Sequence, residues 1–117
     1  MELTALDFQQ ARVKQVLFKS RLRSVLYGVR EAEPGLFSMK ENPLGQWLTT
    51  VLKPQYGHRP EVATIERLLR QTLDTGQGLV RQYQRGELEQ ARTGLEQIER
   101  LATEIEQHLT SVEHHKN

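Results

Sequence analysis

Residues 88–112, LEQARTGLEQIERLATEIEQHLTSV, decide the fold. Leu88, Ala91, Leu95, Ile98, Ala102, Ile105, Leu109 and Val112 recur at alternating spacings of three and four. That alternation keeps them on one face of an α-helix. Sustained over more than three heptads, it forms a seam of the kind seen in bundles and coiled coils, suited equally to an ordinary core or to dimer packing. Glu89, Glu96, Glu99 and Glu106 read as its solvated side.

Working back toward the N-terminus, Arg85-Gly86 ends a helix that Pro60 opens. That helix carries Val62, Ile65, Leu69, Leu73, Gly76, Val80 and Tyr83 on one side. Gly76 and Gly78 each cost about 1 kcal/mol relative to Ala inside a helix, which marks either a close helix approach or a kink. A shorter helix starts at Asn42-Pro43, where Asn is a strong N-cap and Pro suits the first helical position. Leu44, Trp47, Leu48 and Val51 give it an apolar face, Lys53-Pro54 is expected to stop it, and residues 55–59 are a loop. Residues 31–41 form a connector whose Leu36, Phe37 and Met39 are expected to tuck against the bundle. The first helix spans Ala5 to Val29, with Phe8, Ala11, Gln15, Phe18, Leu22, Val25 and Val29 on one face. The expectation is an all-α, four-helix bundle of three long helices and one short one. It forms a single domain over 1–117, with a core at about 6–112 and a frayed tail at 113–117.

Composition narrows the function. At 117 residues the chain has room for one domain with its own core. Zero Cys excludes disulfides, thiol catalysis and any zinc site that needs thiolate. The N-terminus MELTALDF lacks the basic start and apolar stretch of a signal peptide, and no run reaches membrane-span length, so a cytoplasmic protein is expected. The near-neutral total hides an asymmetry: nine basic and five acidic residues in 1–60, seven and ten in 61–117. Arg12, Lys14, Lys19, Arg21, Arg23 and Arg30 follow one another with no acid between them. Such a run can attract nucleic acid, but without a base-stacking aromatic series it reads better as a basic helix lying beside an acidic one.

Candidate chemistry is sparse. His58, His108, His114 and His115 do not form a helical i, i+4 ligand pair and read as surface residues. There is no Glu-x-x-His motif, nucleophile elbow, P-loop or dinucleotide fingerprint. The chain is therefore expected not to be an enzyme and to use no cofactor. Gln15 is the exception on an apolar stripe: a ligand contact, a register device, a remnant of an older site, or a residue half exposed at the seam edge.

Several segments together resemble the chemoreceptor zinc-binding (CZB) domain family, bacterial cytoplasmic four-helix sensor modules. LDFQQARVKQVLFKSRLRSVLYG at 6–28 is similar to the family's first helix, and Pro43-Leu44-Gly45-Gln46-Trp47-Leu48 to its Cys-x-Leu-Gly-Lys-Trp-Leu segment. Residues 56–60 resemble the loop that follows, and Gly86-Glu87-Leu88-Glu89-Gln90-Ala91 the Gly-Asp/Asn-x-x-x-Ala turn. Coverage runs from residue 6 to about 112. The family holds zinc with three histidines and one cysteine, and the resemblance places those ligands at Gln15, Asn42, Leu69 and Leu73, all of them substituted. Leucine cannot coordinate, and neutral amides are poor zinc ligands beside imidazole and thiolate. Buried leucines would fill the space instead, worth roughly 1.5–3 kcal/mol each relative to exposure. The resemblance thus implies a degenerate, metal-free member: a non-catalytic signalling module of chemotaxis or cyclic-di-GMP regulation, acting through protein–protein association as a homodimer. The alternative is a small-ligand or metal sensor with a remodelled pocket of Gln15, Phe18, Asn42, Trp47, Leu69 and Leu73. Neither membrane nor nucleic acid is an expected partner.

Overall fold

The computed structural model describes residues 2–114 and, among them, contains helices and no strands. Helix α1 (Ala5–Leu26) opens on a capping box. The Thr4 hydroxyl accepts the Asp7 N–H, and the Asp7 carboxylate accepts the Thr4 N–H at 2.8 Å. A 3₁₀ turn at Pro34–Phe37 follows. Helix α2 (Pro43–Trp47) runs on through a π-helical segment, Leu48–Leu52, into α3 (Lys53–Tyr56). Helix α4 (Pro60–Gln84), a short α5 (Leu88–Thr93) and α6 (Leu95–His114) complete the bundle. The all-helical bundle expected from the periodicity is present, drawn out to 49 × 21 × 20 Å along its long helices.

Several boundaries differ from the sequence reading. α1 stops at Leu26, and Val29 is 77 % exposed and no seam residue. Gly28 at φ +76° lets its own N–H reach the Val25 carbonyl and the Val29 N–H reach that of Ser24, a Schellman close. Gly86 at φ +86° closes α4 in the same way, with the Glu87 N–H on Gln82 O. Lys53-Pro54 does not stop the short helix. Pro54 can offer no N–H to the Thr50 carbonyl, and the helix passes it by widening to π spacing, with the Lys53 N–H on Leu48 O. The last long helix is interrupted at Gly94, where it packs against the side chain of Leu79, and Leu88 of the expected seam is exposed. The frayed tail expected from residue 113 does not begin there: Glu113 is helical and ion-paired, while 115–117 lie outside the described residues.

The core is continuous. Phe8, Ala11, Phe18 and Leu22 of α1 meet Val62, Ile65, Leu69 and Leu73 of α4 and Ile98, Ile105, Leu109 and Val112 of α6. Leu36 is buried and Phe37 and Met39 half-buried beside it, as expected of the connector. Gly76 marks a close approach, since a Cβ there would lie 3.0 Å from Phe37 and 3.3 Å from Leu22. Gly78 faces open space.

The basic first helix does lie along the acidic last one. Arg12 reaches Glu106 at 2.7 Å and Glu113 at 2.8 Å, and Lys19 reaches Glu99 at 3.3 Å. Burial works to lower the Arg12 pKa, but its hydrogen bonds to Glu106 and Glu113 outweigh this and leave it raised. Between α3 and α4, Glu66 accepts from Lys53 at 2.6 Å and from Arg70 at 3.0 Å. The hydrogen bond from Lys53, then that from Arg70, holds its carboxyl below the ordinary value of 4.5.

Two outcomes follow. Gly78→Ala, adding helix propensity into open space, should stabilise the protein by about 1 kcal/mol, read as a rise in the urea midpoint at constant slope. Because the folded pKa of Glu66 is lowered, its contribution is complete above the unfolded value of about 4.5 and is lost as pH falls through the folded pKa. Glu66→Gln should therefore flatten the acid limb of stability measured by thermal melts below that pH, while lowering stability modestly at neutrality.

Candidate functional site

The residues nominated from the sequence divide into two groups in space. Gln15 and Phe18 from α1, Asn42 ahead of α2, and Leu69 from α4 line one enclosed cavity. Trp47 and Leu73 are not among its lining residues. Trp47 packs edge-on against Phe8, with ring centroids 5.9 Å apart, and Leu73 is buried one turn further along α4. In their place the cavity receives Thr72 from α4 and Ile98, Ala102 and Ile105 from α6. Thr72 escaped the sequence reading because a threonine one turn from Leu69 carries no signal of its own. Its hydroxyl is absorbed locally, donating to Leu68 O at 2.7 Å.

The two carboxamides in this region play different parts. Asn42, 1 % exposed, is fully employed. Its Oδ1 accepts the backbone N–H of Leu44 at 2.9 Å and of Gly45 at 3.3 Å, and its Nδ2 donates to Leu36 O at 2.8 Å. One side chain thus caps α2 and pins the connector across the 3₁₀ turn. Gln15, 9 % exposed, is only half satisfied. Its Nε2 donates to Ala102 O at 3.2 Å, and its Oε1 is buried with no hydrogen-bonding partner among the described residues. It is buried and not half exposed at a seam edge.

The free space at this point is about 10 Å³, room for one water molecule at most. Aliphatic volume from Leu69, Ile98 and Ile105 occupies the rest. This donor set does not fit zinc. Asn42 has committed both amide atoms, Gln15 offers one neutral oxygen, and the remaining walls are largely hydrocarbon. Elsewhere among the described residues no group of three His, Cys, Asp or Glu side chains converges. His58 and His114 are exposed, His108 is half-buried on α6, and His115 lies outside the described residues.

Compared with family models, curated proteins and solved structures, the chain finds no match. Also among the described residues, no helix is long and apolar enough to cross a membrane.

The contrast between the two carboxamides is measurable. Asn42→Ala removes a cap and strands Leu36 O, and should cost about 2–3 kcal/mol. Gln15→Met replaces a half-satisfied amide by apolar volume and should be neutral or stabilise by about 1 kcal/mol. Chemical denaturation of the two variants beside wild type checks the opposite signs.

Proposed function

We propose that this protein is a non-catalytic interaction module, acting through protein–protein association on a bundle whose internal ligand position has been filled. The observation that carries this reading is on α1. Its inner face is buried in the core, and its outer face still exposes Leu6, Val13, Val16 and Leu17, between 45 % and 67 % each. Scattered exposed apolar residues are ordinary; four on the side of one helix facing away from its core are a surface for a partner. The resemblance to chemoreceptor zinc-binding domains adds a bacterial regulatory setting to the proposal, chemotaxis or cyclic-di-GMP signalling, without the zinc trigger. A small-ligand sensor at Gln15 draws less support, because about 10 Å³ admits nothing larger than water and Trp47 lies outside the cavity.

Affinity capture of the full chain from its native cell extract, with elemental analysis of the same sample and light scattering of the purified protein, tests the module. A specific stoichiometric partner, or a self-associated dimer, with zinc far below one per chain is the expected result. Stoichiometric zinc, or a strict monomer that captures nothing, would overturn it.

A further inference from the structure

The outer face of α1 has a charge pattern as well as an apolar one. At about 100° per residue, Leu6, Val13 and Leu17 project opposite Ala11, Gln15, Phe18 and Leu22, with Val16 beside them and Ser20 and Ser24 continuing the strip toward the C-terminus. Lys14 and Arg21 flank it on one side and Arg23 on the other. While Arg12 and Lys19 are consumed by α6 carboxylates, these three cations form no salt bridge among the described residues. No acidic residue occurs between Asp7 and Glu31. Beside Val16 the surface dips into a groove between α1 and α6 of about 250 Å³, lined by Lys19, Ser20, Arg23, Leu95 and Glu99.

We infer that this face docks an acidic amphipathic helix of another protein, its apolar stripe on Val13, Val16 and Leu17 and its flanking carboxylates on Lys14, Arg21 and Arg23. The inference rests on the interaction-module reading and names the partner's chemistry. Charge decides against symmetric pairing of this face with its own copy. In either orientation, α1 laid on α1 sets cations against cations along both flanks, since the segment has no carboxylate to offer. A lipid surface would meet the cations equally well, but it has no use for a side-chain-sized groove, and the strip carries none of the Trp or Phe that anchor interfacial helices. Serines at 20 and 24 leave room for a helix backbone to approach.

The test uses the full chain and two fluorescent helical peptides of about three heptads, both with leucine at a and d, one with glutamate and the other with lysine at e and g. Anisotropy at low salt should show the glutamate peptide binding at least roughly tenfold tighter, with affinity falling as salt rises. The double variant Val13→Glu/Leu17→Glu should abolish binding while keeping wild-type helicity and thermal midpoint, because both residues are exposed. Arg21→Glu/Arg23→Glu should reverse the preference between the peptides. Equal binding of the two peptides, undiminished binding by Val13→Glu/Leu17→Glu, dimerisation through this face, or binding of phosphatidylglycerol vesicles in place of either peptide would overturn the assignment. A natural partner captured equally by wild type and Val13→Glu/Leu17→Glu would overturn it too, yet leave the module reading standing; a wild-type chain that captures nothing fails that reading itself.

Discussion

The burial of α6 between α1 and α4 is the contact on which the rest of the molecule depends. Ile98, Ile105, Leu109 and Val112 are at most 1 % exposed, and burial of such side chains contributes roughly 1.5–3 kcal/mol each. Everything else is hung on that stripe. Arg12 reaches across it to Glu106 and Glu113. At the opposite end, Arg92 of α5 donates to Leu26 O at 2.9 Å, satisfying a carbonyl at the end of α1, and stacks its guanidinium 4.5 Å over the Tyr27 ring. The fold thus combines nondirectional burial along the middle with directional polar ties near both ends.

The interior at Gln15 shows how differently two similar side chains serve a core. Asn42 is buried at little cost because three hydrogen bonds replace those it would make to water. Gln15 keeps one bond and a buried oxygen without a donor, a local defect that hydrocarbon would remove. Leu69 and Leu73, at the positions where the family resemblance sets histidines, behave as ordinary core. The cavity at Gln15 is therefore nearly filled, and the exposed apolar residues of α1 lie outside it, on the far side of the same helix.

Helix existence was legible because the apolar spacing of three and four tolerates no other regular structure. The caps at Asn42, Pro60 and Gly86 were legible because those residue types do one local job well. The breaks were not. Val29 continues the period of α1 perfectly, and only the Schellman turn at Gly28 shows that the chain has already left the helix. Gly94 and Leu79 are fifteen positions apart, so the approach that interrupts the last helix is a tertiary fact. At the cavity, Gln15, Phe18, Asn42 and Leu69 came through the sequence reading and Trp47 and Leu73 did not, because side-chain direction within a helix is set by packing that spacing describes only to within part of a turn. The outer stripe of α1 was masked for a related reason: apolar residues on two opposite faces cancel in any measure of amphipathicity.

The π segment at Leu48–Leu52 also bears on how this chain tolerates change in length. A π turn holds an extra residue against the surrounding α register, so the rotational phase of everything after it is set by that residue. Leu52 and Tyr56, both buried, face the core only in this phase. Removing one residue between 48 and 52 would restore regular α spacing and swing the following side chains by about 100°, carrying Tyr56 away from the core and presenting Pro54 with a carbonyl it cannot serve. A deletion that made this helix more regular would thus work against the packing of Tyr56, so the segment constrains the chain's length as well as its direction.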